Sequence, residues 1–224
     1  VRRSQTEEER EAANDLISLL TPVIKGYLTD KGYEVATNAQ QIYGGHGYIR
    51  EWGMEQFVRD ARINMIYEGA NGIQALDLVG RKLAQNGGRA VQGYFRLLAE
   101  EIAEAKAADG SRDFAVALEK AVGDLQTATM WLMQNGMANP VNAGAASYSY
   151  KNLMGLVTLG LMWLRMAKAS TAALADGAED RAFHEAKLVT ARFYAERILP
   201  QAGAERRKIE AGAESIMALP VEAF

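Results

Sequence analysis

The clearest candidate for chemistry is a glutamate that stands between an aromatic residue and a glycine. Residues 67–74 read Tyr-Glu-Gly-Ala-Asn-Gly-Ile-Gln, so that Glu68 is followed at once by Gly69. A carboxylate between apolar residues and a glycine-lined gap can be desolvated, which makes it a better base near neutral pH. A carboxylate is equally expected at an exposed helix N-terminus, where it complements the helix dipole. The local chemistry leaves both interpretations open.

A second stretch combines glycines with a lone histidine. Residues 41–51 read Gln-Ile-Tyr-Gly-Gly-His-Gly-Tyr-Ile-Arg-Glu. Three glycines in four positions let the backbone turn tightly and let a ligand approach it. The stretch is not a Walker loop, and it is not a dinucleotide fingerprint because it follows a predicted helix. A simple helix stop explains it as well, and His46 alone does not indicate a ligand or a base.

Composition excludes several classes of function. The chain has 224 residues, a net charge of -3, no cysteine and two histidines. The two signs of charge are interspersed, so no basic face for nucleic acid is expected. Thiol chemistry and a multi-histidine metal centre are also not expected. The longest apolar stretch, residues 153–164, is short of the roughly 20 residues that span a bilayer. We therefore predict a soluble, cytoplasmic protein without a metal site.

Apolar residues recur at helical spacing almost throughout, and no alternating strand pattern is present, which predicts an all-α fold. Thr6 and Glu9 form a capping-box pattern at the start of the first helix. Pro22 lies inside the apolar pattern of that helix and can kink it. The pattern predicts helices that cover the following approximate ranges: one from residue 7 past residue 27, then 32–43, 53–66, 71–84, 91–102, 114–132, 141–175, 179–199 and a short last one.

Paired glycines near residue 87 mark a domain boundary. The segment 84–90 contains no strong apolar residue, and such a composition is typical of a connection. We predict one domain over residues 1–86 and a second over residues 87–224. The second reads as an antiparallel helical bundle with short connections. Its expected role is packing over the first domain or between subunits.

The two glycine-containing motifs, in this order and at this separation, resemble the C-terminal domain of the acyl-CoA dehydrogenase family. The resemblance covers about residues 30–83. The segment Asp-Leu-Val-Gly-Arg-Lys-Leu at residues 77–83, followed by a long helical extension, is similar to the long bacterial branch of that family. That branch includes dehydrogenases of 3-methylmercaptopropionyl-CoA. The resemblance implies a partial four-helix bundle followed by the helical extension.

The resemblance also implies a reaction and a set of site residues. In this family an FAD enzyme converts a saturated acyl-CoA into the 2,3-enoyl-CoA, and a glutamate removes the proton next to the thioester. That glutamate corresponds to Glu68, and Gly69 would pass close to the thioester. Electron-transfer flavoprotein is the implied electron acceptor. Gln41, Gly44 and Gly45 are implied to contact FAD that is held mainly by a neighbouring subunit, which implies a homodimer. Ala70 and Gly72 are implied to lie near the flavin of the same subunit.

Two departures from the family pattern limit this expectation. A threonine is usual where Ala70 stands, so one hydroxyl contact to the cofactor is lost. The family's N-terminal helical domain and middle β-domain are not visible in the 224 residues. We therefore expect the chain alone to be inactive and to bind no FAD tightly. Two other interpretations remain: a flavoprotein of this fold with a DNA-associated role, and a helical interaction module without catalysis.

Overall fold

A computed structural model describes residues 6–107 and 110–223 of the chain. These residues are predominantly helical, with no β-strand among them, which confirms the predicted all-α class. The α-helices are α1 (Glu7–Ile42), α2 (Gly45–Tyr48), α3 (Met54–Ile63), α4 (Asn71–Asp77), α5 (Arg89–Ala107), α6 (Arg112–Trp131), α7 (Pro140–Ala175), α8 (Arg181–Phe193) and α9 (Gln201–Glu210).

The first helix is longer than predicted. Thr6 and Glu9 form the expected capping box, but α1 then continues to Ile42, so the separate helix predicted from residue 32 is wrong. Gly32 costs a helix only about 1 kcal/mol relative to alanine. Packing of α1 against α3, α4, α5 and α7 outweighs that preference. Pro22 also lies within the continuous helix and is buried.

Three helices end in a wider π-helical turn. The π-helical segments Leu78–Lys82, Leu132–Gly136 and Tyr194–Ile198 extend α4, α6 and α8. The first leads into the 3-10 turn Gln85–Gly88, where Asn86 has a left-handed backbone with φ of 53°. This turn coincides with the connection predicted at residues 84–90. The boundary between residues 86 and 87 stays a prediction.

Helix α7 is the centre of the molecule. It packs against α1, α4, α5, α6, α8 and α9, and its middle is buried on nearly every side. Leu153, Leu161 and Leu164 are at most 2% exposed. Residues of α1 join the same hydrophobic core, among them Leu19 and Val23. The N-terminal and C-terminal parts of the chain therefore share one core.

Reciprocal glycines allow α1 and α7 to approach closely. A Cβ atom at Gly155 of α7 would lie 2.3 Å from the ring of Tyr27 on α1. A Cβ atom at Gly26 of α1 would lie 2.6 Å from the Lys151 side chain on α7. The Tyr27 side chain of α1 thus packs against Gly155 of α7, and the Lys151 side chain of α7 packs against Gly26 of α1. This contact lies directly beneath the loop that carries Glu68.

Candidate active site

Glu68 stands in a short closed loop between α3 and α4. The Asn71 N–H donates to the Met65 carbonyl at 3.1 Å and closes the loop. Glu68 has φ of 51° and Gly69 has φ of 85°. A left-handed backbone costs a non-glycine residue about 1–2 kcal/mol, and such strain concentrates at functional sites. Among the described residues only Asn86 shares this feature with Glu68.

Gly69 is favoured by its own left-handed backbone and also leaves room for a neighbouring amide. A Cβ atom there would lie 2.7 Å from Gln74 Nε2. That nitrogen donates to the Glu68 carbonyl at 3.2 Å. The left-handed φ disfavours a side chain for a second, independent reason. The structure therefore explains the glycine without a substrate, and the predicted contact of Gly69 with the thioester stays a prediction.

The Glu68 side chain is exposed to solvent. The apolar residues around it are also about half exposed: Ile63 by 53%, Ile66 by 51% and Tyr67 by 47%. Shielding of the carboxylate, which base catalysis requires, is thus not provided by its sequence neighbours. Any desolvation of Glu68 must come from a ligand or from further protein surface.

The glycine-rich segment caps the far end of α1. Gly44 has φ of 61°, and a Cβ atom at Gly44 or Gly45 would meet no atom within 4 Å. Gly47 is different, because it is buried and a Cβ atom there would lie 2.5 Å from the Gln40 carbonyl oxygen. Gln40 Nε2 also donates to the Gly47 carbonyl at 3.2 Å. The first two glycines leave open surface, and the third is needed for packing.

The structure does not bring the two motifs together. Lys25 of α1 reaches the Glu68 loop, since its Nζ donates to the Gly69 carbonyl. Gln41 lies 16 residues further along the same helix, which is about 24 Å along the helix axis. A single copy of the chain therefore presents the Glu68 loop and the segment 41–45 as two separate surfaces.

The remaining predicted residues follow the Glu68 loop directly. Ala70 is exposed and is the N-cap residue of α4, where it provides no side-chain hydrogen bond. Gly72 is exposed in the first turn of α4, and a Cβ atom there would meet nothing within 4 Å. Glu68, Gly69, Ala70 and Gly72 thus share one surface. Their predicted roles toward FAD and substrate stay predictions.

A polar cluster that the sequence motifs did not indicate lies under this surface. Lys151, which is 0% exposed, forms an ion pair with Asp30 of α1. Asp30 accepts from Asn71, the residue that closes the Glu68 loop, at 2.7 Å. The signal in the sequence was a lysine on the buried face of α7, four residues after Ser147 and three before Met154, both buried. A lysine at such a position needs a buried partner.

Two further properties bear on the class of protein. Within residues 6–107 and 110–223, no three His, Asp or Glu side chains are grouped in a way that could hold a metal ion. Across the same residues, no helix has both the length and the apolar character that crossing a bilayer requires.

The fold and the Glu68 loop define a class of protein that comparison with known families identifies. The family model described as "Acyl-CoA dehydrogenase, C-terminal domain" matches residues 4–84. The model described as "Acetyl-CoA dehydrogenase C-terminal like" matches residues 88–220. The chain belongs to the acyl-CoA dehydrogenase family, as the motifs predicted.

Individual relatives extend this assignment. The chain is 35% identical to a 3-methylmercaptopropionyl-CoA dehydrogenase of Ruegeria pomeroyi, over 94% of the chain and 36% of that protein. It is 31% identical to the broad-specificity linear acyl-CoA dehydrogenase FadE5 of Mycobacterium tuberculosis, over 92% of the chain and 35% of that protein. A butyryl-CoA dehydrogenase of Syntrophomonas wolfei is 28% identical, over 100% of the chain and 37% of that protein. The chain spans little more than a third of the length of these relatives.

Proposed function

We propose that the chain is the C-terminal, base-carrying part of an FAD-dependent acyl-CoA dehydrogenase. The observation that carries the proposal is the Glu68 loop, in which a family-typical glutamate is held in a strained backbone conformation on an exposed surface. Backbone strain that the surroundings maintain is a known property of active sites.

In the proposed reaction, the Glu68 carboxylate removes the proton from the carbon next to the thioester of a saturated acyl-CoA. The α-proton is weakly acidic, so the base must be close, oriented and shielded from water. FAD, when bound, accepts the hydride from the β-carbon, which yields the 2,3-enoyl-CoA. Electron-transfer flavoprotein then serves as the proposed acceptor of the two electrons.

The described residues fit FAD as one wall of a site. Gly44, Gly45 and Gly72 have open space where a side chain would stand, so a flat ring system or a phosphate can approach their backbone. The rise of about 24 Å along α1 between Lys25 and Gln41 places the two surfaces apart, which favours a site shared by two copies. We therefore propose a homo-oligomer in which Gln41, Gly44 and Gly45 face the cofactor of another copy.

Exposed apolar side chains support the need for further protein surface. Between residues 28 and 70 only Gly47 is buried. Exposed apolar residues at this density mark surfaces that bind other protein. The chain alone should accordingly leave Glu68 hydrated, be inactive and retain no FAD. Flavin absorbance of the purified 224-residue chain tests this, and stoichiometric FAD would refute it.

The base is tested by Glu68→Gln in the complete product of the reading frame that encodes this chain. Removal of a general base lowers turnover by about 10²–10⁴-fold. We expect kcat with saturated acyl-CoA to fall by that amount while FAD absorbance stays unchanged. Glu100→Gln, which removes an exposed carboxylate on α5, is the matched control. Turnover near the wild-type rate in the Glu68→Gln variant would exclude Glu68 as the base.

A further inference from the structure

The Glu68 loop rests on a polar cluster that connects it to the C-terminal half of the chain. Asn71, at the closing point of the loop, is 4% exposed. The two hydrogens of its Nδ2 have three acceptors within reach: the Gly26 carbonyl at 3.0 Å, Thr29 Oγ1 at 2.9 Å and Asp30 Oδ1 at 2.7 Å. A buried amide with this many acceptors has a single stable orientation. Asn71 therefore fixes one end of the loop to α1.

Lys25 fixes the loop at a second point. Its Nζ donates to the Asn71 Oδ1 at 2.7 Å and to the Gly69 carbonyl at 2.8 Å. The preceding carbonyl, that of Glu68, accepts from Gln74 at 3.2 Å. Both carbonyls of the left-handed pair are thus held by donors. Charge-assisted bonds such as those of Lys25 are stronger than neutral ones, so Lys25 is the main clamp on the loop.

Helix α7 supplies the groups that hold Asp30. Lys151 pairs with Asp30 Oδ2, and the Tyr148 hydroxyl donates to the same oxygen at 2.6 Å. Lys151 Nζ also lies 3.6 Å from the centre of the Tyr148 ring. Burial raises the pKa of Asp30, but the hydrogen bonds from Lys151, Tyr148 and Asn71 outweigh burial and hold it below 3.8. Asp30 is therefore ionised at neutral pH and accepts from all three.

We propose that Lys151 and Tyr148 of α7 are positioning residues for Glu68, and that they act through Asp30, Asn71 and Lys25. The inference rests on the proposed function, because it assigns the C-terminal helices a part in the same reaction. Each link of the chain is a direct hydrogen bond between the residues named above. The C-terminal half would then hold the base in place as well as pack against the rest of the enzyme.

The expected consequence is a catalytic loss without loss of substrate affinity. A base displaced by about 1 Å can cost up to 100-fold in rate. An interaction that acts only on the geometry of the transition state lowers kcat and kcat/KM equally. Disruption of the cluster should therefore leave KM and FAD content unchanged. It should also loosen the backbone of residues 67–71, since the loop loses either the bonds from Lys25 or the fixed position of Asp30, to which Asn71 donates.

The experiment uses Lys25→Met and Lys151→Met in the complete product of the reading frame. Each should lower kcat and kcat/KM equally, by about 10- to 100-fold, and accelerate amide hydrogen exchange in peptides that cover residues 65–74. Lys25→Arg keeps a charged donor and should recover part of the rate. Because Lys151 is buried and its loss can impair folding, the charge-free pair Asp30→Asn with Lys151→Met is tested beside it. This double variant should show the same acceleration of amide hydrogen exchange in the peptides that cover residues 65–74.

Arg89→Met is the matched control. Arg89 of α5 pairs with Asp15 of α1 at 2.5 Å, so this ion pair also joins the two halves. Asp15, however, lies on the stretch of α1 before Lys25. We expect this variant to change neither kcat nor exchange of the loop. The proposal is overturned if Lys151→Met or Lys25→Met leaves kcat or loop exchange at the wild-type level, or if Arg89→Met reproduces both effects. If Glu68→Gln keeps full turnover, the proposed function fails instead, and loop exchange alone still decides whether the cluster holds the loop.

Discussion

Residues 28–70 and the helices α5–α9 use apolar side chains in opposite ways. In the first region only Gly47 is buried, and large apolar residues face solvent, with Ile42 86%, Phe57 66% and Trp52 55% exposed. In the second region residues such as Leu98, Leu118 and Leu153 are 0% exposed. The core residues of α5–α9 are thus already covered within the chain, by one another and by residues of α1 such as Leu19 and Val23. The region that carries Glu68 is a surface whose apolar residues gain stability only when other protein covers it.

The largest expected effect on stability comes from comparing the truncation of a core residue with the truncation of a surface residue. Leu153→Ala removes a fully buried side chain and should lower the free energy of unfolding of the 224-residue chain by about 2–5 kcal/mol. Ile42→Ala removes an exposed side chain and should change it by no more than about 0.5 kcal/mol. Urea denaturation followed by circular dichroism measures both values.

The same pair of variants can sharpen the contrast. If Ile42 is covered in the assembled enzyme, Ile42→Ala should reduce stability more in the complete product than in the 224-residue chain, because more apolar area is lost from a buried surface. An Ile42→Ala effect as large as that of Leu153→Ala in the chain alone would contradict the difference between the two regions.

The contact between α1 and α7 can be broken at a single glycine. Gly155→Ala places a Cβ atom 2.3 Å from the Tyr27 ring, and overpacking of this kind costs about 1–3 kcal/mol. Gly144 of the same helix is the control, because a Cβ atom there meets nothing within 4 Å. Gly144→Ala should leave stability equal or raise it by up to about 1 kcal/mol. Equal melting temperatures for the two variants would show that the α1–α7 approach does not depend on Gly155.

The two regions also differ in how far their structure could be predicted from sequence. The helices of the bundle were predicted within a few residues, because each has an apolar face at regular spacing. The extension of α1 through residue 32 was not, because packing against four helices outweighs a local glycine preference. Glu68 and Gly69 could be identified from their motif, whereas the left-handed backbone of Glu68 could not, since propensity assigns such a position to glycine.

The polar cluster was beyond sequence analysis for a different reason. Lys151 and Asp30 are separated by 121 positions, so no spacing rule relates them. A lysine on a helix is ordinarily a surface residue, and only the tertiary structure shows that α1, α4 and α7 enclose this one. The residues of the Glu68 loop can thus be identified from a local motif, whereas the residues that support the loop cannot.

The smallest expected effect on stability concerns a carboxylate whose ion pairs all lie between α5 and α7. Glu101 of α5 accepts from Arg165 at 2.8 Å and from Lys168 at 3.2 Å, both on α7. Burial raises the pKa of Glu101, but these hydrogen bonds outweigh burial and hold it below 4.5. A carboxyl group with a lowered pKa in the folded state stabilises the protein above its unfolded pKa, and that contribution is lost as the pH falls through the folded value.

Glu101→Gln should therefore reduce stability at pH 7 by about 1 kcal/mol or less, the range of partly exposed ion pairs. The difference from wild type should begin to shrink as the pH falls below 4.5, where the carboxyl is protonated in the unfolded state, and it should vanish once the pH lies below the lowered pKa of the folded state. Glu100→Gln, at the exposed neighbouring position, controls for the loss of one negative charge. Urea denaturation between pH 3 and pH 7, in steps of about half a unit, measures the difference. A difference between Glu101→Gln and wild type that stays constant over this range would mean that the ion pair does not stabilise the bundle.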